Sequence, residues 1–443
     1  MPINSTHHAY EKFADKWERT RDTFDGSDAV KEKGSKYLPQ VQGQNKDEYN
    51  AYKMRALYFD GVERTVRGLV GAVMRIDPIV EAPNKLKELF GDITNTGVSL
   101  NNLISTMIQE QLLMGRQGLL IDYDNSFKRT YLLHYITEQI TNWLDDKIIL
   151  QEASKIPKDD IYDIKYETQY RELTLKDSQY IVNIWTKNTK DDEWVKGDDI
   201  VAENKNKTLD FIPFVSISTD GFNLEPSKSS VLSLADVSLS LYRTSADLEH
   251  GRHYTALPTP YVTGYEAQDG VKFNIGPSKI WLLPRVEAKV GLLEFTGQGL
   301  KALSIGMDEK IAMMAALGSQ LLQGQKAGVE AADTVRLRQN AEASTLVGAV
   351  KMVEKAITQA LVMMNDWSGW GGTDTISVKL NTDFVDSKMS PQEITAMMSA
   401  WQGGGISHDS LLYNFKRGER LQPNVDIQTE KDKISIENEN LIK

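Results

Sequence analysis

The amino-acid sequence predicts an α+β protein, in which helices and strands occupy separate stretches of chain. Three observations predict it. Apolar residues recur at helical spacing in several segments between residues 47 and 366, short β-prone runs crowd between residues 117 and 215, and Gly, Pro and Ser signals punctuate the two kinds of segment.

Residues 1 to about 50 are polar and are interrupted by Gly26, Gly34, Pro39 and Gly43. Only Tyr10 to Arg21 has helical character, so this stretch is expected to be an arm that needs a partner surface. From Asp47 to Met74, Tyr49, Tyr52, Ala56, Phe59, Val62, Val66 and Leu69 mark a helix that ends at Gly71 and Asp77-Pro78. A second helix is expected from about Ser99 to Met114, with Leu100, Leu103, Ile104, Met107, Ile108 and Leu112 on one face and Gly115 closing it. Residues 117 to 215 then carry Leu119-Leu120-Ile121, Ile148-Ile149-Leu150, Tyr180-Ile181-Val182 and Phe211 to Val215, separated by charged turns such as Lys190-Asp191-Asp192. These runs predict a mainly antiparallel β module.

A helix of about 28 residues, roughly 40 Å long, should start after Pro226-Ser227 and stop before Leu257-Pro258-Thr259-Pro260, where proline forbids continuation. Tyr261 to Phe295 is again β-like and broken by glycine and proline, a small module strung between two helices. The second of these carries Leu300, Leu303, Met307, Ile311, Met314 and Leu317 as one continuous stripe. Gly318 to Gly328 is a Gly- and Gln-rich break. A long helix follows from Glu330 to about Asp366, with Leu346, Val350, Val353, Ile357, Leu361 and Met364 at near-heptad spacing. A strand from Ile376 to Phe384 leads to a Ser390-Pro391-Gln392-Glu393 cap, a helix ending at Gly403-Gly404-Gly405, a short helix from Ser407 to about Arg417, and a polar tail from Pro423 expected to fray.

The 443 residues carry 51 Lys+Arg against 62 Asp+Glu, a formal charge of −11, which is the wrong sign for a protein that coats nucleic acid tightly. Any DNA contact must be local or weak. Cysteine is absent, which removes disulfides, thiolate metal sites and cysteine nucleophiles. Met1 to Glu18 has no apolar core of a secretory signal, and no apolar run approaches the ~18 residues a bilayer span needs, so a soluble protein with no membrane partner is expected.

No G-x-x-x-x-G-K-[ST] phosphate loop occurs, Gly297-Gln298-Gly299 lacks the third glycine of a dinucleotide fingerprint, and no G-x-S-x-G elbow is present. Asp247, His250 and His253 could place two imidazoles and a carboxylate on one side of a helix as metal ligands of a hydrolase, although surface or interface polar residues account for them as well. Asp122/Asp124 and Asp159-Asp160 are carboxylate pairs of a kind that 62 acidic residues produce by chance. Gln402 to Ile406 between two short helices has the outline of a helix-turn-helix, with Lys416, Arg417 and Arg420 as cations, but Leu411, Leu412 and Phe415 favour packing. The expectation is no enzyme, no metal and no cofactor.

The order helix, small β module, returning helix, Gly/Gln break and very long helix resembles that of tailed-bacteriophage portal proteins. The resemblance is carried by Lys36-Tyr37-Leu38-Pro39, Tyr49, Tyr52 and Arg55-Ala56, the Val66 to Pro78 segment, and Met114-Gly115-Arg116-Gln117-Gly118-Leu119-Leu120-Ile121-Asp122. It continues through Ile212-Pro213-Phe214-Val215, Ser245 to His250, Pro258-Thr259-Pro260, Ile275-Gly276-Pro277, Met314 to Gly318, and Thr334-Val335-Arg336-Leu337, covering about residues 36 to 420.

This resemblance implies a ring, normally of twelve copies, at one capsid vertex. It would conduct double-stranded DNA, dock the large terminase and then the tail adaptor, and touch the major capsid and scaffolding proteins. Such a ring is assembled in the host cytoplasm and retained in the virion. By position, residues 1–227 would be an arm and wing, 228–255 a first stem helix, 256–296 a clip, 297–317 a second stem helix, 318–329 a tunnel loop, 330–389 a long wing helix and strand, and 390–443 short crown-side helices and a tail, without an extended C-terminal barrel. Gln320, Gln323, Gln325 and Lys326 would face the DNA as weak, mostly neutral contacts. Lys272, Lys279, Trp281 and Arg285 would be the clip's docking residues. Another head-tail connector would share the ring but lack the long helix.

Overall fold

The computed structural model describes residues 2–124, 126–157, 164–188, 193–204, 207–256, 259–264, 287–293, 297–318, 332–382, 391–417, 420–421 and 427–441. The chain begins with helices α1 (His8–Asp25), α2 (Ser27–Glu32), α3 (Lys46–Arg55) and α4 (Gly61–Met74), strand β1 (Ile79–Glu81), and helices α5 (Asn84–Lys87) and α6 (Leu100–Met114). The strand-rich part comprises β2 (Arg116–Asp124), β3 (Arg129–Ile136), β4 (Ile140–Leu144), β5 (Lys147–Pro157), β6 (Ile164–Lys176), β7 (Gln179–Lys187), β8 (Trp194–Lys196), β9 (Ile200–Val201), β10 (Glu203–Asn204), β11 (Lys207–Thr208) and β12 (Phe214–Ser218). Then come α7 (Leu232–Ala256), β13 (Thr259–Thr263), β14 (Lys289–Leu293), α8 (Gln298–Ala316), α9 (Ala332–Ser368), β15 (Ser377–Lys379), α10 (Pro391–Gln402), α11 (His408–Arg417) and α12 (Ile427–Leu441). The mixture of helices and antiparallel sheets is the α+β class expected from the sequence.

The core forms where α6 runs directly into β2. The Ser99 hydroxyl caps α6 by accepting the Asn102 N–H at 3.3 Å, and Gly115 turns the chain with φ 71°. Leu119, Leu120 and Ile121 follow one another and are all buried, so β2 is covered on both faces. It lies between β12 and β3 in a three-stranded antiparallel sheet. The six apolar residues from Leu346 to Met364 that predict the long helix are all buried on α9, which packs on this sheet and on α6. At 37 residues, α9 is about 55 Å long.

Gly118 has a packing reason to lack a side chain: a Cβ there would lie 2.0 Å from Cζ of the Phe214 ring on the neighbouring strand. Gly118→Ala is therefore expected to lower stability by about 1–3 kcal/mol. A urea midpoint checks it, and Phe214→Leu in the same chain should recover part of the loss.

The second sheet, ordered β4-β5-β6-β7-β8 with β9 also on β7, is antiparallel throughout. Ile148, Leu150, Leu173, Tyr180 and Val182 join the same core. Asp177 and Ser178 make the tight β6–β7 turn with φ of 50° and 60°.

Five sequence expectations change. Residues 8–25 are not a free arm, because α1 docks with Trp17 and Phe24 buried. Its polar look is deceptive: Thr20 and Thr23 are buried with their hydroxyls donated to the carbonyls of Lys16 and Arg19, at 2.9 and 2.8 Å. The single helix expected from Asp47 to Met74 is two, since the Ser245 hydroxyl on α7 takes both the N–H and the C=O of Leu57, at 2.8 and 2.7 Å. The helix expected after Ser227 starts at Leu232, because the Ser227 hydroxyl is bound to the carbonyl of Gly115 at 2.7 Å. The polar tail contains α12, fastened to α11 by the Lys431–Asp409 ion pair at 2.6 Å. The strand expected from Ile376 to Phe384 narrows to β15, paired with β1, and Phe384 lies outside the described residues.

Candidate functional site

The part of the molecule least explained by its own core is the α7–α8 pair. α7 is embedded through Leu248, but none of its residues from Glu249 onward is buried. α8 returns beside it and buries only Met314, whose terminal methyl fills the space left by Gly61 at the start of α4. The two helices approach closely at Gly251, where a Cβ would be 2.5 Å from Cδ2 of Leu300. At the far end, β13 and β14 pair antiparallel, from Thr259↔Leu293 to Thr263↔Lys289. The result is a stalk carrying a two-stranded sheet, leaving the body and returning to it.

Its outward side mixes apolar and charged residues on one helix and is polar on the other. On α8, Ile305 and Met313 are 49 and 56 % exposed, with Ala302, Ala312 and Ala316 exposed beside them and the charged Lys301, Asp308 and Glu309 exposed on the same helix. On α7 the exposed residues include Asp236, Arg243, Asp247 and Arg252. Lys310 reaches from α8 to the Thr244 hydroxyl of α7 at 2.8 Å, and Arg252 pairs with Glu249 at 2.7 Å. Exposed apolar residues set among charges on a helix are the composition of an association surface.

Asp247, His250 and His253 lie on the α7 side of this stalk and are committed to holding α3. The Tyr52 hydroxyl donates to Asp247 Oδ1 at 2.5 Å, and Arg55 Nη2 lies 3.1 Å from His253 Nε2. The His250 ring packs edge-on against Tyr52 and Tyr254. Burial, followed by the charges of Arg55 and His253, holds its pKa below the usual histidine value. A metal ion would have to displace a guanidinium. Among the described residues, no group of three or more His, Asp or Glu side chains could hold one.

The other candidates resolve as structure. Asp122 accepts from Arg171 at 2.8 Å and from the Tyr131 hydroxyl at 3.2 Å. Asp124 accepts the N–H groups of Phe127 and Ser126 in the β2–β3 turn, which together with Asn95 pull its pKa down. Leu411 and Leu412 are buried, so the apolar side of α11 is used in packing. Asp159-Asp160, the tunnel-loop residues Gln320, Gln323, Gln325 and Lys326, and the clip residues Lys272, Lys279, Trp281 and Arg285 lie outside the described residues. Sequence reasoning passed over Ile305 and Met313 because they fall off the α8 stripe. Their apolar character on the face opposite to that stripe was the available signal. Among the described residues, no helix is long and apolar enough to cross a membrane.

A family model described as a domain of unknown function, DUF4055, matches residues 230–368, from the approach to α7 to the last residue of α9. No curated protein matches the chain. Similar solved structures include a chain from the neck of an empty GTA particle computed with C6 symmetry, at 14% identity and TM-score 0.42, covering 83% of this chain and 91% of that one. A chain from the virion of a native gene transfer agent (GTA) particle has 13% identity and TM-score 0.41, covering 87% and 97%. A chain from the neck of a native GTA particle computed with C12 symmetry has 13% identity and TM-score 0.40, covering 86% and 97%.

Proposed function

We propose that this chain is a subunit of a phage-type portal, a ring of twelve copies at one capsid vertex through which double-stranded DNA is packaged and ejected. The observation that carries the reading is the stalk: α7, an antiparallel strand pair and α8 with exposed Ile305 and Met313, followed by the 37-residue α9. This is the order of parts on which the sequence resemblance rests. α9 favours a portal over another head-tail connector, which would lack that helix. The division into wing, stem, clip, tunnel loop and crown-side helices, and docking of terminase, tail adaptor, capsid and scaffolding proteins, belong to the same proposal.

The ring works without catalysis of its own, and packaging energy comes from a separate ATPase. The acidic balance of −11 per chain suits a conduit, because a negatively charged wall repels a passing duplex and leaves attraction to a few cations such as Lys326. A metal-dependent hydrolase built on Asp247, His250 and His253 is disfavoured by the Tyr52 and Arg55 contacts that occupy two of the three.

Negative-stain imaging and native mass measurement of the purified protein test the reading. Rings with a central hole are expected. A monomer with metal-dependent hydrolysis that His250→Ala abolishes would overturn it. In assembled rings, Lys326→Ala or deletion of residues 320–325 should leave assembly intact and impair DNA packaging or retention. Normal packaging after the deletion would remove the tunnel-loop assignment.

A further inference from the structure

Residues 2–7 begin with a turn, closed by the Ser5 N–H on the Pro2 carbonyl at 3.0 Å, and run as a strap over the outer face of the six-stranded sheet into α1. Few bonds hold the strap down. The His7 N–H donates to the Thr141 carbonyl at 2.9 Å, and Asn142 Nδ2 donates to the Ser5 carbonyl at 2.9 Å. The His7 imidazole does two further things. Its Nδ1 accepts the Ala9 N–H at 3.3 Å, capping α1, and its ring lies on the Trp143 indole with centroids 4.0 Å apart. Beneath the strap is a cavity of about 610 Å³, walled by Trp143, Ile149 and Trp185 from the sheet and by Pro2, Ile3 and His7 from the strap.

The surroundings of this imidazole do not favour a proton. Trp143 already carries the guanidinium of Arg116 at 4.2 Å from its ring centroid. Arg116 is completely buried and, among the described residues, leaves Nε and Nη1 without a hydrogen-bond partner. The His8 ring is 4.3 Å from that of His7. The acidic groups that face the strap are otherwise engaged or open to water. Glu225 accepts the Trp143 indole N–H at 3.1 Å, Glu172 is bound to Lys147 and to the Trp185 indole, and Glu11 is exposed with the Thr6 hydroxyl at 2.9 Å. Tyr10 donates its hydroxyl to the Glu138 carbonyl.

We propose that the strap is an acid-released latch: neutral His7 holds it closed by capping α1 and lying on Trp143, and protonation frees residues 2–7 and uncovers the apolar cavity. Protonated Nδ1 cannot accept the Ala9 N–H, and an imidazolium on Trp143 brings a second cation to an indole already shared with Arg116. The direction of the linkage follows. Burial, then the neighbouring His8, keep the His7 pKa below its ordinary value, although Glu225 pulls the other way. A depressed histidine contributes closing stability that is complete above about pH 6.5 and is lost as the pH falls through that value. His134, which burial holds down at about 4, titrates below this window.

The test uses the absence of native cysteine. Full-length protein carrying Asn4→Cys and Asp145→Cys is spin-labelled, diluted into unlabelled protein, and its label separation measured at pH 7.5 and 5.5. A single short distance is expected at pH 7.5. At pH 5.5 the open fraction should rise by up to about tenfold, the ceiling for one proton taken up at about pH 6.5. Binding of the apolar dye anilinonaphthalene sulfonate should rise with it while the far-ultraviolet circular dichroism stays constant. His7→Asn, which can still cap a helix but does not titrate, should stay closed at both values, and His8→Asn should open like the unmodified strap. Equal opening of His7→Asn in acid, or a wild-type strap that stays closed at pH 5.5, would overturn the proposal.

Discussion

Arg21→Ala is expected to lower the unfolding free energy by about 3–5 kcal/mol, the largest single-site effect on stability that the structure points to. Arg21 on α1 forks onto Glu110 of α6 at 2.8 and 3.0 Å and onto Glu138, in the turn between β3 and β4, at 2.9 Å twice. Glu110 is 2 % exposed, so truncating the guanidinium leaves a carboxylate with neither water nor counter-ion. Burial already pushes the Glu110 carboxyl up, and Arg21 is the main opposing influence. Removing Arg21 sends that pKa higher still. An acid whose folded pKa is raised favours the folded state at low pH, so the deficit of the variant should be greatest near pH 8 and should shrink as the pH falls toward 5. Urea unfolding at three pH values reads this out. Glu110→Gln added to Arg21→Ala should recover stability at pH 8 and remove most of the pH trend. A deficit independent of pH would mean that the loss comes from packing of α1 and not from the stranded carboxylate.

The same residue explains where the sequence could and could not be read. A helix declares itself through apolar spacing, and α6, α8 and α9 do so because each meets its neighbour through Leu, Ile, Val or Met side chains. α9 shows this best, with every residue of the expected stripe from Leu346 to Met364 buried. α1 meets its neighbours through Trp17, two threonines and an arginine that finds two carboxylates about 90 and 117 positions away. No local pattern announces a partner at that separation, so a docked helix looks like an arm. The break between α3 and α4 was hidden for a related reason. The helical spacing persists across it, and what interrupts the backbone is one hydroxyl, Ser245, distant in sequence.

The candidate site was legible in outline and not in detail. Pro258 and Pro260 mark where α7 must stop, and Gly297 is the left-handed residue, φ 66°, from which α8 starts. The three residues that suggested a metal centre have the right spacing on α7. They fail as ligands because α3 supplies Tyr52 and Arg55 to two of them and an aromatic face to the third. Which face of α8 is left over could not be seen from α8 alone, since it depends on the apolar stripe being used against α7 and on Met314 being used against α4.

Ile305→Asp together with Met313→Asp is therefore expected to abolish assembly, leaving a folded monomer. The two side chains are about half exposed in the isolated chain, so substituting them costs the monomer little. Met314, which does anchor α8, is untouched. In the proposed ring every subunit would present this face to a neighbour, so each interface would bury two added carboxylates, at several kcal/mol apiece. That exceeds what a standard interface can lose and still form at micromolar protein. Sedimentation or mass photometry should show only the monomer, with circular dichroism unchanged. Ile305→Leu with Met313→Leu, which keeps both positions apolar, should assemble normally. If the aspartate pair still forms rings, the α8 face points elsewhere and the subunit contact must be sought on other surfaces. If instead the leucine pair also fails to assemble, side-chain shape and not burial of apolar surface decides the interface.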